Sequence, residues 1–231
     1  MEQCVHSNNT KEKRPLPYIL LILVLLSIDQ AIKIWVKTHM AIGDEFIVFD
    51  WFRILFVENP GMAYGIELGS KLFLTLFRII AMCFALFVLL KSIADKRLST
   101  FFCITLAIII AGGVGNVVDC IFYGQLFGSS QGTITNFLPK EGGYAPWFMG
   151  NVVDMFYFPI INSTYPSWIP FVGGTRFVFF SPVFNFADSC ISVGVIALFL
   201  FHSHSVAYAL ELGFTSIKES VKGLAKRMRT K

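Results

Sequence analysis

The stretch SPVFNFADSCISVGVIALFLF, residues 181–201, joins two parts of opposite character. From Ser189 onward it reads as a membrane helix, yet it opens with Asn185 and Asp188. A carboxylate at the mouth of a membrane segment costs about 2–4 kcal/mol or more unless something pairs with it or uses it. One reading is a helix cap, because Asn and Asp near an N-terminus satisfy free backbone N–H groups. The other is a working site, and the rest of the chain decides how far that reading holds.

Of 231 residues, 55% are hydrophobic and only 15% charged, with a mean hydropathy of +0.66. A soluble domain carries roughly a quarter charged residues, so this composition implies an integral membrane protein. The net charge of +4 comes mostly from the two ends and does not suggest nucleic acid as a partner. The four His and five Cys (4, 83, 103, 120, 190) are scattered, with neither CxxC nor HExxH. No metal site, cofactor or disulfide framework is therefore expected.

A spanning helix needs about 20 mainly apolar residues. Four segments qualify, at about 17–36, 71–91, 100–123 and 184–208, in a single membrane domain covering 1–231. Basic residues cluster at Lys11, Lys13 and Arg14, at Lys91, Lys96 and Arg97, and from Lys218 to Lys231. The loops 37–70 and 124–183 are poor in them, so both termini are expected in the cytoplasm and both larger loops outside. Residues 44–61 are rich in β-branched and aromatic residues and read as one or two strands. Residues 123–151 are dense in Gly, Ser, Thr and Pro and read as loop. Residues 158–182 mix aromatics with Pro and Gly, a composition that suits the membrane interface.

Depth makes the polar residues informative. At about 1.5 Å per residue, Asp29 lies about 18 Å and Lys33 about 24 Å along the first segment, and Asn116 and Asp119 about 25–30 Å along the third. Asp188 opens the returning fourth segment, and Asp154 lies on the outer loop before it. The intramembrane carboxylates thus gather towards the outer side. Each has a simpler explanation: an i,i+4 ion pair for Asp29 and Lys33, interhelical hydrogen bonds for Asn116 and Asp119. Gly112, Gly113 and Gly115 suit close helix packing. Arg78 either snorkels outward or neutralises a carboxylate. Taken together, however, carboxylates brought close cannot all ionise comfortably. Such a pair shares a proton, and can activate water as a base and protonate a leaving amine as an acid.

Other chemistries find less support. The only serine-rich candidate for a nucleophile, GSSQ at 128–131, has no outer His besides His39. A small membrane transporter would suit aligned carboxylates, but four segments without inverted repeats fit that class poorly.

Five stretches carry a resemblance: SIDQAIKIWV (27–36), VENPGMAYGI (57–66), AGGVGNVVD (111–119), VVDMFYFP (152–159) and FNFADSCISVG (184–194). In this order they resemble the bacterial lipoprotein signal peptidases, the type II signal peptidases, over roughly residues 17–205. The resemblance implies an aspartyl endopeptidase of the inner membrane with Asp154 and Asp188 as its catalytic pair. It implies supporting roles for Asp29, Lys33, Asn59, Gly61, Asn116, Asp119, Asn185 and Ala187. The implied substrate is a diacylglyceryl-modified prolipoprotein, cut just before the lipid-bearing Cys by an enzyme expected to be monomeric. The implied fold is four transmembrane helices with an outer β-cradle and a short outer helix. Two features depart from the family pattern. Cys120 stands where Arg usually follows the Asp of GNxxD, and the 35 residues from Asp119 to Asp154 exceed the usual spacing. Arg176, by its place before SPVFNFAD, is a candidate substitute for that Arg. The alternative within the family is a catalytically silent lipoprotein-binding relative.

Overall fold

The computed structural model describes residues 13–61, 70–179 and 181–229. Helix α1 (Leu16–His39) starts with Pro17 in its first turn, where a missing N–H loses no helical bond. A hairpin follows, β1 (Glu45–Phe49) and β2 (Phe52–Asn59). Helices α2 (Lys71–Ala94) and α3 (Thr100–Val118) each begin at a serine. The hydroxyls of Ser70 and Ser99 accept the N–H groups of Phe73 and Phe102 at 3.3 and 3.0 Å, the usual means of satisfying a helix N-terminus. Helix α3 runs on through a π-helical turn (Asp119–Tyr123) into the short α4 (Gly124–Leu126).

The long segment 124–183 is less irregular than its composition suggests. Residues 127–151 are loop, with one isolated bridge between Phe127 and Phe137. Beyond them, Asp154 lies on a strand, β3 (Val152–Tyr157). The hairpin β4 (Ile161–Thr164) and β5 (Arg176–Phe179) comes next, and then β6 (Val183–Phe184) leads directly into α5 (Phe186–Phe201). The main sheet is antiparallel in the order β1-β2-β3-β6, with β4 and β5 forming a separate pair. Apart from α4, which merely ends α3, the outer loops contain no short helix among the described residues.

The membrane helices largely match expectation, with one difference. Among the described residues, three helices are long and apolar enough to cross a membrane; the fourth candidate qualifies only as α5 plus α6 (Ser203–Arg229), bent by 104°. The sequence suggested one helix over 184–208. The chain instead turns at His202, because beyond it the uniform hydrophobicity gives way to an amphipathic pattern that has no reason to stay in hydrocarbon.

Two buried clusters organise the molecule. One, including Leu89, Phe102, Leu106 and Ile110, joins α1, α2 and α3. The other, Val36, Met40, Phe56, Tyr123, Phe127, Val153 and Met155, lies under the sheet and fixes it to the ends of α1 and α3. Close helix approach comes from Gly112, where any Cβ would strike the Ala187 carbonyl oxygen of α5.

Candidate active site

Sheet pairing brings the candidate carboxylates together. β3 carries Asp154 opposite Val57 of β2, and its far end pairs Phe156 with Phe184. Since Phe184 immediately precedes Asn185, the same sheet that holds Asp154 delivers the start of α5 beside it. Asn185 caps α5 by accepting the Asp188 N–H at 2.8 Å, while an Asp188 carboxylate oxygen accepts the Asn185 N–H at 3.3 Å. The pair is therefore a capping box. The cap leaves the Asn185 side-chain amide free to donate, and it reaches Asp154 Oδ1 at 2.6 Å and Asn116 Oδ1 at 3.2 Å. The capping role and the site role belong to the same two residues.

The remaining polar groups complete a continuous network. Asn116 Nδ2 donates to Asp188 Oδ1 at 2.8 Å, and Asn59 Nδ2 to Asp154 Oδ2 at 3.2 Å. Asn59 is itself held by Gly61, whose N–H donates to its Oδ1 at 2.9 Å. Gly61 has φ +101°, a backbone conformation that suits glycine, and a Cβ there would meet Leu74 of α2. Behind these, the fully buried Lys33 lies 2.7 Å from Asp119 and 3.0 Å from Asp29, and donates to Asn116 Oδ1 at 2.9 Å. Asp29 Oδ1 also accepts the Ala187 N–H at 3.0 Å, and Asp119 Oδ2 the Val153 N–H at 3.4 Å. One ammonium thus ties α1, α3, β3 and α5 to the same point.

Asp154 and Asp188 differ in surroundings. Asp154 is buried, whereas Asp188 is partly exposed. Burial, with the Asp188 charge as the second cause, pushes the Asp154 carboxyl up to about 7 against the hydrogen bonds from Asn185 and Asn59. Two carboxyls brought together, one of them raised towards neutral pH, form an arrangement suited to acid and base chemistry at one place. Among the described residues, no group of three or more His, Cys, Asp or Glu is placed to hold a metal ion.

Every sequence-selected residue with a described side chain falls in this network: Asp29, Lys33, Asn59, Asn116, Asp119, Asp154, Asn185 and Asp188. Gly61 and Ala187 join it through their backbones. The Arg176 side chain and residues 62–66 of VENPGMAYGI lie outside the described residues. Among the described residues Arg78 makes no ion pair with a carboxylate, and its Nη1 donates to Cys120 Sγ at 3.2 Å. A guanidinium therefore does stand beside position 120, brought by α2. The sequence reading missed Gln30, which donates to Asp29 Oδ2 at 3.1 Å and Asp119 Oδ1 at 3.0 Å and accepts from Tyr123 OH at 3.1 Å. Its signal was an amide next to Asp29 inside an apolar run. A second buried cluster was also missed. Lys37 pairs with Glu58 and donates to Ser130 Oγ at 3.0 Å, while Glu58 accepts from Asn151 at 2.7 Å and Lys71 donates to Asn151. It fixes loop 127–151 to α1, α2 and the strand bearing Asn59.

This chain and fold have known relatives. The family model described as signal peptidase (SPase) II matches residues 21–203. A lipoprotein signal peptidase of Porphyromonas gingivalis is 56% identical over 191 residues, 83% of this chain and 84% of the relative. One of Amoebophilus asiaticus is 32% identical over 184 residues, 77% and 74% of the two chains. A bacterial membrane enzyme solved by the in meso method at 1.9 Å resolution shares the fold, with a TM-score of 0.54 at 23% identity over 83% of this chain and 95% of that one. With the family model spanning most of its length and a relative matching more than half of the aligned residues, this chain belongs to the signal peptidase II family.

Proposed function

We propose that the protein is an aspartyl endopeptidase that cleaves diacylglyceryl-modified prolipoproteins just before the lipid-bearing Cys, with Asp154 and Asp188 as its catalytic pair. The observation that carries this reading is the shared amide of Asn185, which caps Asp188 and donates to Asp154. It holds an acid and a base in one hydrogen-bonded unit.

In the proposed reaction Asp154 enters protonated and Asp188 ionised. Asp188 takes a proton from water, and the water oxygen attacks the scissile carbonyl, whose oxygen is polarised by the Asp154 proton. The tetrahedral intermediate collapses as the leaving amide nitrogen receives the proton held by Asp188. Asn116 and Asn185 keep the carboxylate oxygens oriented, and Lys33 balances the charge of Asp29 and Asp119 behind them. The reaction needs no cofactor. The pair titrates as a unit, so its pH profile belongs to both groups. Arg176 enters the site on position alone, and unimpaired cleavage by Arg176→Ala would remove it.

The same reading makes the chain one membrane domain, monomeric, crossing four times, with α5 completing the fourth crossing before the bend at His202. Both termini face the cytoplasm. The sheet forms a cradle on the outer face, with the catalytic pair at its base and the substrate's acyl chains between the helices. The distribution of basic residues supports this orientation.

A processing assay tests the proposal. Purified protein in lipid receives a diacylglyceryl prolipoprotein, alongside Asp154→Asn and Asp188→Asn variants of unchanged thermal stability or better. Cleavage before the modified Cys by the wild type, lost in both variants, is the expected result. Cleavage retained by either variant would remove that residue from the pair. Substrate binding without cleavage by the wild type would favour a silent relative.

A further inference from the structure

Helix α6 starts at residue 203, where the match to the family model ends. Six of its apolar side chains, Leu210, Phe214, Ile217, Val221, Leu224 and Met228, follow one another at intervals of four and three residues and are 39–66% exposed. That spacing places them on one stripe of the helix. At about 100° per residue, Lys218, Lys222 and Arg227 fall about 80–120° from the centre of the stripe, on its two flanks, and Glu219 falls about 180° away. Basic side chains on the flanks of an apolar stripe can lay their stems on hydrocarbon while their charges reach a headgroup.

The fold also gives the helix its orientation. Helix α5 is apolar from Cys190 onward except for Ser192, and α6 leaves it at a bend of 104°. A helix that turns nearly perpendicular to a membrane-crossing segment lies close to the plane of the bilayer. It is held there by α2: a Cβ on Gly213 would meet Val88, Phe214 packs on Phe84 with ring centroids 5.2 Å apart, and Tyr208 OH donates to Asp95 at 2.6 Å. Phe84 belongs to a helix that also carries exposed apolar side chains, among them Phe73, Phe77, Ile80 and Leu90, so the stripe adds to the apolar surface of α2.

We propose that α6 lies in the headgroup boundary of the leaflet at which α5 ends, with its apolar stripe towards the acyl chains and Lys218, Lys222 and Arg227 binding anionic lipid headgroups. The proposal is independent of the catalytic assignment. By the orientation above, the leaflet is the cytoplasmic one.

The test uses the full chain in bilayer discs of neutral lipid, or of neutral lipid mixed with an anionic phospholipid. Thermal unfolding is compared for the wild type and the triple variant Lys218→Glu, Lys222→Glu, Arg227→Glu. The anionic lipid is expected to raise the wild-type midpoint, and the variant to lose most of that rise while matching the wild type in neutral lipid. An equal rise in both proteins would overturn the headgroup role. A fluorescent side chain placed singly at Val221 or Glu219 then reports immersion. The Val221 probe is expected to be quenched by brominated lipid and the Glu219 probe by aqueous iodide. Iodide quenching at both sites would put α6 in solvent. Protection of Val221 from both quenchers, with transfer between probes that grows with chain density, would assign the stripe to a second copy. Either result overturns the proposal.

Discussion

At the scale of single residues, most of the site chemistry depends on Asn185. A serine at this position keeps the helix cap but removes the amide that donates to Asp154 and Asn116. Asn185→Ser is therefore expected to lower thermal stability only slightly while reducing cleavage at least about tenfold, a loss of about 1.4 kcal/mol of transition-state stabilisation. Equal losses in unfolding midpoint and cleavage rate would make the residue purely a cap. Asp154 offers a second test, through pH. Its folded value is raised to about 7 from 3.8, so between those values the folded chain holds a proton that the unfolded chain has released. Its contribution to stability is complete below the lower value and is lost as pH rises through the upper one. Asp154→Asn should thus match the wild-type unfolding midpoint at pH 4 and exceed it at pH 8, while abolishing cleavage. The wild-type cleavage rate should fall as pH rises past about 7, as the pair loses its shared proton. A variant less stable than wild type at pH 8 would mean that the ionised carboxylate is stabilised where it stands.

At the scale of elements, the molecule is joined by charges placed where sheet and helices meet. Lys33 holds Asp29 of its own helix and Asp119 of the π-helical turn, with all three groups out of water. Removing one partner of such a buried group leaves uncompensated charge and costs about 3–5 kcal/mol. Lys33→Met should lower the unfolding free energy by about that amount, measured by denaturant unfolding in mixed micelles, and adding Asp119→Asn should recover part of it. A loss under about 1 kcal/mol would make this an ordinary ion pair of the exposed kind. The i,i+4 spacing announced a pair, but the third member came from the π-helical turn after α3, which no local pattern could supply. The Lys37–Glu58–Asn151–Lys71 cluster is the same kind of device, made from four distant segments. Its members read as scattered loop and helix-end charges in the sequence because each is unremarkable on its own.

At the scale of the whole molecule, the proposed orientation rests on the distribution of basic residues. A cysteine introduced at Ser220 and another at Lys140 should label from opposite faces of sealed vesicles, the first only after the cytoplasmic side is opened. Labelling from one side would mean an odd number of crossings. The sequence by itself determined that this is a membrane protein, the place of α1, α2 and α3, the strands of 44–61 and the polar residues that meet in the network. Each of these rests on hydrophobic length, on local propensity or on the cost of charge in hydrocarbon, and all three act within a short window of chain. Only the tertiary structure decided that Asp154 stands on a strand, that β6 carries Asn185 to it, and that the chain bends at His202. It also decided that a guanidinium reaches Cys120 from α2. These depend on pairing between residues far apart in the chain, where register and packing, rather than the character of either segment, choose the partner.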